Sequence, residues 1–233
     1  MYWLSPKFWF RKPHPLIIKN QEFFSEFDQS RPLIEYSFVA IDTELTGLNR
    51  KKDEIISVGA VKIENLQIDL SNTFYKLAQP DKIESNQSTL VHQITPVQLR
   101  EAQPLEEVLV DFVEFVGNSM LVGHHLELDM SFINRATWRH LGGTLSNPGM
   151  DTMRMSRRYD QIQDGYFKDP SSSRNSYKLE DLSKKYNLPE FTAHNAFEDA
   201  LQTACLFLVL IKKIGGPGGI SCLKNLYKVG HSV

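Results

Sequence analysis

The chain has 233 residues, 41% of them hydrophobic and 23% charged, with a formal net charge of −2. That length supports one good core, and the near-neutral charge excludes a general polyanion binder, so any nucleic-acid contact must be local. Cys205 and Cys222 form no CxxC pair, which excludes a disulfide scaffold and a thiolate zinc site and fits a reducing cytosol.

Residues 1–35 read as an N-terminal extension. "MYWLSPKFWFRKPHP" is aromatic and basic but lacks the small-residue cleavage site of a signal peptide. "KNQEFFSEFDQ" places Phe23, Phe24 and Phe27 on one side of a short helix expected to pack on the main domain, the competing reading being a partner or membrane-surface contact through Trp3, Phe8, Trp9 and Phe10. Three strands follow, "SFVAID", "EIISVGAVKIE" and "LQIDLSNTFYKL", the last two joined by a tight turn near Asn65. "PLEEVLVDFVEFVG" spaces Leu105, Val108, Leu109, Phe112 and Val116 as a helix that Gly117 stops. "MLVGHH" is a strand buried on both faces. "LELDMSFINRATWRHLGG" is a helix closed by Gly142 and Gly143.

A further helix is expected to open at Asp151, followed by a polar loop over 160–176, long enough to suggest a functional role. "YKLEDLSKKYNLP" reads as a helix ended by Pro189, and "AFEDALQTACLFLVLIKKIGG" as the last long one. Its apolar run "ACLFLVLI" is too short to span a bilayer. The expected organisation is an α/β domain over 36–214, a mixed sheet with helices on its faces, and a C-terminal tail over 215–233.

The chemistry begins in "SFVAIDTELTGL". Side chains two apart on a strand share a face, so Asp42 and Glu44 stand together at the end of a buried strand. Two like charges there are tolerated either in solvent or around a cation, and a divalent ion such as Mg²⁺ takes oxygen ligands. More carboxylates should then converge from the starts of other elements. Asp129 lies in the first turn of the helix after "MLVGHH", near the carboxyl end of that strand. Asp199 lies in the first turn of the last long helix, where Asn195 is an expected N-cap and Glu198 stands three residues on. His194 precedes that cap, free of the helix, and can accept a proton near neutral pH.

"DTELTGL", "VGHHLELDMSFI" and "HNAFEDA" resemble, in order and spacing, the three motifs of the DEDD superfamily of 3′–5′ exonucleases. The likeness runs from about Phe38 to Lys213, includes "VHQIT" (Val91–Thr95), and is nearest the branch of the DNA polymerase III proofreading subunit epsilon. The H-x₄-D spacing of His194 and Asp199 matches its histidine subgroup, since the tyrosine subgroup would want a tyrosine where Asn195 stands. The resemblance implies a ribonuclease H-like fold with a mixed five-stranded sheet. It implies two Mg²⁺ or Mn²⁺ ions held by Asp42, Glu44, Asp129 and Asp199, with His194 as general base. The backbone of Leu45 and Thr46 would face the terminal nucleotide, Leu48 would wedge against its base, and His92 would lie near the end of the substrate. For Leu48, ordinary core packing is the competing reading.

The implied substrate is a single-stranded or frayed DNA 3′ end, in proofreading or repair. An exoribonuclease is the alternative, because no residue is identified with a sugar 2′-hydroxyl. A third reading is an accessory subunit that docks a polymerase through the N-terminal extension. Two departures bear on substrate fit: Leu45 replaces a usual threonine, and "HHLELD" puts His125 and Leu128 where the family has asparagine and phenylalanine. Arg135, Arg139, Arg154, Arg157, Arg158, Lys168, Arg174 and Lys178 gather positive charge that reads equally as a guide for a single strand or as a solvated basic face.

Overall fold

A computed structural model describes residues 12–81, 93–164, 176–189, 191, 192, 194–215, 220 and 222–232. Helix α1 (Pro15–Ser25) opens on a proline, and His14 Nδ1 accepts from the Leu16 N–H at 3.3 Å. A 3-10 turn at Leu33–Glu35 leads into β1 (Phe38–Leu45), which β2 (Ile55–Glu64) and β3 (Gln67–Gln79) follow antiparallel. Asn65 and Leu66 between the last two both have positive φ, the paired left-handed residues of a two-residue hairpin. The expected meander is therefore present.

Helix α2 (Pro96–Glu101) is started by a reciprocal Thr95–Gln98 capping box. The two-residue β4 (Gln103–Pro104) leads into α3 (Leu105–Val116), stopped by Gly117 at φ +51°. Strand β5 (Met120–Gly123) lies parallel to β1, and α4 (Leu126–Leu141) ends at Gly142 with φ +74°. Strand β6 (Gly149–Asp151) continues the parallel half, followed by α5 (Thr152–Asp164), α6 (Leu179–Lys185) and α7 (Ala196–Gly215). The last elements are α8 (Leu223–Gly230) and β7 (His231–Ser232).

The strand order is β4-β3-β2-β1-β5-β6-β7. The five central strands form the mixed sheet expected of the ribonuclease H-like class, and a two-residue strand adds to each edge. The helix expected to open at Asp151 starts at Thr152, with Asp151 as the residue that caps it. Asp151 ends β6, and its carboxylate accepts from the N–H groups of Met153, Arg154 and, across the chain, Leu126. A three-residue strand leaves no periodicity to read.

Alternation along β1 sorts the core into two layers. Val39 and Ile41 pack with Phe112, Phe132 and Ile133 beneath α1, α3 and α4. Phe38 and Ala40 pack with Met155, Phe207 and Leu210 beneath α5 and α7, the Phe38 and Phe207 rings 5.1 Å apart. Burying each such ring contributes about 1.5–3 kcal/mol.

Both ends of the chain join these layers. In α1, Ile17 is fully buried, and buried Asn20 donates to Asn147 Oδ1 at 2.6 Å and accepts from the Ser146 N–H at 2.8 Å. The helix thus packs on the domain and begins at Pro15, earlier than "KNQEFF" suggests. The segment read as a C-terminal tail forms α8, which packs on α5 with Leu223 and Leu226 fully buried, and β7 pairs with β6. Residues 1–11, with Trp3, Phe8, Trp9 and Phe10, lie outside the described residues; of the loop expected over 160–176, residues 160–164 instead continue α5, and 165–175 lie outside the described residues. Among the described residues no helix is long and apolar enough to cross a membrane.

Candidate active site

The parity of β1 distributes the site. Asp42 and Glu44 continue the face of Phe38 and Ala40, toward α7, whereas Thr43 continues the face of Val39 and Ile41, toward α4. From α7, the first-turn carboxylate of Asp199 meets the strand pair: one oxygen each from Asp42, Glu44 and Asp199 lie within 4.8 Å of one another. Asp129 arrives from α4 on the other side and is buried. Its Oδ1 accepts from the Thr43 N–H at 3.0 Å and the Thr43 hydroxyl at 2.6 Å. Thr43, which the motif comparison passes over, thereby fastens Asp129 to the strand that carries the other two carboxylates.

Helix α7 reaches the sheet because of a glycine. Gly59 on β2 is the register partner of Asp42, and a methyl group there would stand 2.2 Å from the carbonyl carbon and oxygen of Ala196. A glycine in a strand interior signals such a close backbone approach, a cue that the sequence reading of this strand passed over.

Both carboxylate-bearing helices are entered through a left-handed histidine. His125 at the N-cap of α4 and His194 before α7 each have φ of +64°. Non-glycine residues reach that region seldom, and they gather at functional sites. The His194 N–H donates to Asp199 Oδ2 at 3.0 Å, and its side chain is exposed. Asn195 caps α7 as expected, its Oδ1 accepting from the N–H groups of Phe197 and Glu198 at 3.0 and 3.2 Å. The glutamate arm of the expected capping box is redirected: Glu198 accepts from the Thr192 N–H instead.

The electrostatics are those of an acidic cluster with little to neutralise it. Burial, then Asp129, Asp199 and Glu44 in that order, push the Asp42 carboxyl well above its ordinary range. Burial, with Asp199 and Asp129, raises Glu44 to about 7. Burial raises Asp129 to about 7 against the opposing hydrogen bonds of Thr43. Burial also raises Asp199, opposed by the His194 N–H and imidazole. Hard oxygen donors at this spacing, made costly by their mutual repulsion, fit a divalent cation.

A pH dependence follows. Glu44 and Asp129 have folded pKa values of about 7, above their ordinary 4.5 and 3.8. The stability they contribute is fully present below about pH 4 and is lost as pH rises through 7. In chelator, the melting temperature should therefore fall between pH 5 and 8. Millimolar Mg²⁺ should flatten that fall, because the cation favours the ionised forms. Thermal melts with and without Mg²⁺ test this; a chelated protein that gains stability toward pH 8 contradicts the unneutralised cluster.

The remaining expected residues divide. Leu48 is 74% exposed, which excludes the competing reading as core: it stands in the β1–β2 loop. Leu45 is buried in the core, so only its backbone can face a substrate. Thr46 is held by its loop, its N–H donating to the Glu54 carbonyl at 2.9 Å. His92 lies outside the described residues.

His124, next to His125, is committed within the protein. Its Nε2 donates to the Tyr177 carbonyl and its Nδ1 meets the Thr152 hydroxyl, each at 2.8 Å, and burial lowers its pKa. The basic residues are also partly committed. Arg139 pairs with Asp81 at 3.3 Å, Arg154 with Glu127 at 3.6 Å, and Arg157 lies over the Tyr177 ring.

Comparison with known proteins agrees with this geometry. The RNase T family model, described as an exonuclease, matches residues 39–207. The DNA polymerase III subunit epsilon of Aquifex aeolicus is 31% identical over 84% of this chain and 92% of its own length. A PolC-type DNA polymerase III from Caldanaerobacter subterraneus is 34% identical over 80% of this chain, which spans only 12% of that polymerase. Among solved structures, exonuclease X in complex with 5′ overhanging duplex DNA has a TM-score of 0.58 at 22% identity, covering 81% of this chain and 99% of its own. Exonuclease I of E. coli with a dT13 oligonucleotide has a TM-score of 0.63 at 16% identity, over 76% of this chain and 41% of its own. At those identities the two structures speak for the fold.

Proposed function

We propose that this chain, which belongs to the RNase T family of exonucleases, releases nucleoside 5′-monophosphates one at a time from the 3′ end of DNA. The observation that carries this is the meeting of Asp42, Glu44 and Asp199 within 4.8 Å beside buried Asp129. Those four side chains would hold two Mg²⁺ or Mn²⁺ ions. Such ions, when bound, lower the pKa of an attacking water and offset charge on a phosphodiester.

The chain's own residues do the rest. Thr43 donates twice to Oδ1 of Asp129 and so would hold that carboxylate in place as a ligand. His194 takes the proton of the attacking water as the new P–O bond forms. The P–O3′ bond breaks, and the departing 3′-oxygen leaves as a hydroxyl after taking up a proton. Leu48 stacks on the terminal base, and the backbone of Leu45 and Thr46 lines the sugar. These contacts ignore base identity, as an enzyme that trims any end requires. The names of the relatives, a polymerase subunit epsilon and PolC-type polymerases, support a DNA substrate and a polymerase as partner.

The test is a 5′-labelled single strand, as DNA and as RNA, incubated with Mg²⁺, Mn²⁺ or chelator. A ladder of single-nucleotide steps from the 3′ end, faster on DNA and absent in chelator, is expected. Faster loss of RNA overturns the DNA assignment, and two intact strands overturn the activity.

A further inference from the structure

The loop that carries Leu48 is built as one piece. The Asp53 carboxylate accepts from the Asn49 N–H at 2.7 Å and the Thr46 hydroxyl at 3.2 Å, and the Asp53 N–H donates to the Asn49 carbonyl at 2.9 Å. The Glu54 N–H returns to the Thr46 hydroxyl at 3.0 Å. Gly47 lets the carboxylate sit this close: a methyl group there would stand 2.5 Å from Asp53 Oδ2. These bonds give the loop a shape. They do not fix its position over the site, since residues 48–52 are all exposed.

Helix α4 supplies that position. The Arg135 guanidinium donates from its two terminal nitrogens to the carbonyls of Arg50 and Asp53, and it lies 5.2 Å from the centre of the buried Phe132 ring. The Arg50 side chain meets Glu127 of the same helix at 3.4 Å, but both partners are about half exposed, and such pairs contribute little. The fork to two carbonyls is the main attachment, and a lysine could not reproduce it. Six residues before Arg135 on this helix is Asp129, about 9 Å along the axis.

We infer that Arg135 is a positioning residue, which clamps the 46–54 loop to the helix bearing Asp129 and so holds Leu48 at a set distance from the carboxylates. The inference rests on the exonuclease reading for its consequence: an apolar wedge grips the terminal base only if the loop is held. In this role Arg135 acts through the loop, its fork taken up by the Arg50 and Asp53 carbonyls, so its loss should weaken binding of the strand more than the chemistry.

Two measurements separate the clamp from the activity. Trypsin reports the loop directly, because Arg50, Lys51 and Lys52 are exposed on it. Arg135→Gln should speed cleavage at these residues by at least about fivefold at temperatures where circular dichroism shows a folded protein. An unchanged cleavage rate overturns the clamp, whether or not the protein degrades DNA. The second measurement is steady-state kinetics on a single-stranded oligodeoxynucleotide.

Arg135→Gln should raise KM about tenfold with a much smaller change in kcat, and Arg135→Lys should not restore it. Leu48→Ala should give a similar rise, and the double variant should be no worse than the more severe single one, since both remove one grip. Multiplying effects, or a KM within twofold of wild type, overturn the role assigned to Arg135. A wild-type protein inert toward DNA overturns the exonuclease reading instead and leaves the proteolysis result to decide the clamp.

Discussion

Asp42→Asn should abolish 3′-end hydrolysis while making the metal-free protein more stable. Asp42 stands against three other carboxylates, and burial and those neighbours together raise its carboxyl well above the ordinary range. An amide of the same shape removes one charge from that repulsion. In chelator at pH 8 the variant should melt higher, each kcal/mol relieved adding about 2–4 °C in a chain of this size. The amide is a poor ligand for a hard cation. The rate should therefore fall on the order of 10³-fold, about 4 kcal/mol of barrier. A variant that keeps a tenth of the activity, or melts lower in chelator, would show that Asp42 is not part of a cation site. Opposite signs for stability and rate are what separate a strained functional residue from a structural one.

Gly59→Ala is expected to act at a distance from the chemistry. The added methyl group would meet the backbone of Ala196 and Phe197 at 2.2 and 2.3 Å, so no side-chain rotation relieves it. Either β2 bends or the first turn of α7 lifts, and that turn carries Asp199. Overpacking of this kind costs about 1–3 kcal/mol of stability. Displacing a positioned group by about 1 Å costs on the order of 10²-fold in rate. Because the clash is with main chain, Ala196→Gly should not rescue the variant. Melts and DNA degradation on both proteins check this. Full activity in Gly59→Ala would mean that the seating of α7 on β2 does not set the position of Asp199.

Much of the molecule was legible in local patterns. Short strand-like apolar segments marked β1, β2 and β3. Gly117 and Gly142 marked helix ends at positive φ, and Asn195 marked the start of α7. The four carboxylates were readable because Asp42 and Glu44 share a strand face, Asp129 and Asp199 each lie in the first turn of a helix, and three short motifs stand in order. Other features depend on partners far away in sequence. Asn20 is an unremarkable polar residue until Asn147, 127 positions on, meets it in the interior. Asp151 looked like a helix opener and does cap α5, but only the fold shows that it also closes β6 and accepts from Leu126 at the start of α4. The C-terminal segment read as a tail because its glycines break the pattern, yet Leu223 and Leu226 complete the core beside α5.

By itself, the sequence determined which residues could bear the chemistry. A carboxylate two positions from another on a strand must share its face, and a helix start favours a negative side chain. Those rules need no knowledge of the rest of the chain. Only the tertiary structure decided how the groups divide between the two faces of β1: Asp42 and Glu44 toward α7, and Thr43 toward Asp129 on α4. It also decided that Leu48 projects outward on a loop gripped by Arg135. Contacts of this kind join segments brought together by packing, and no local period in the sequence records them.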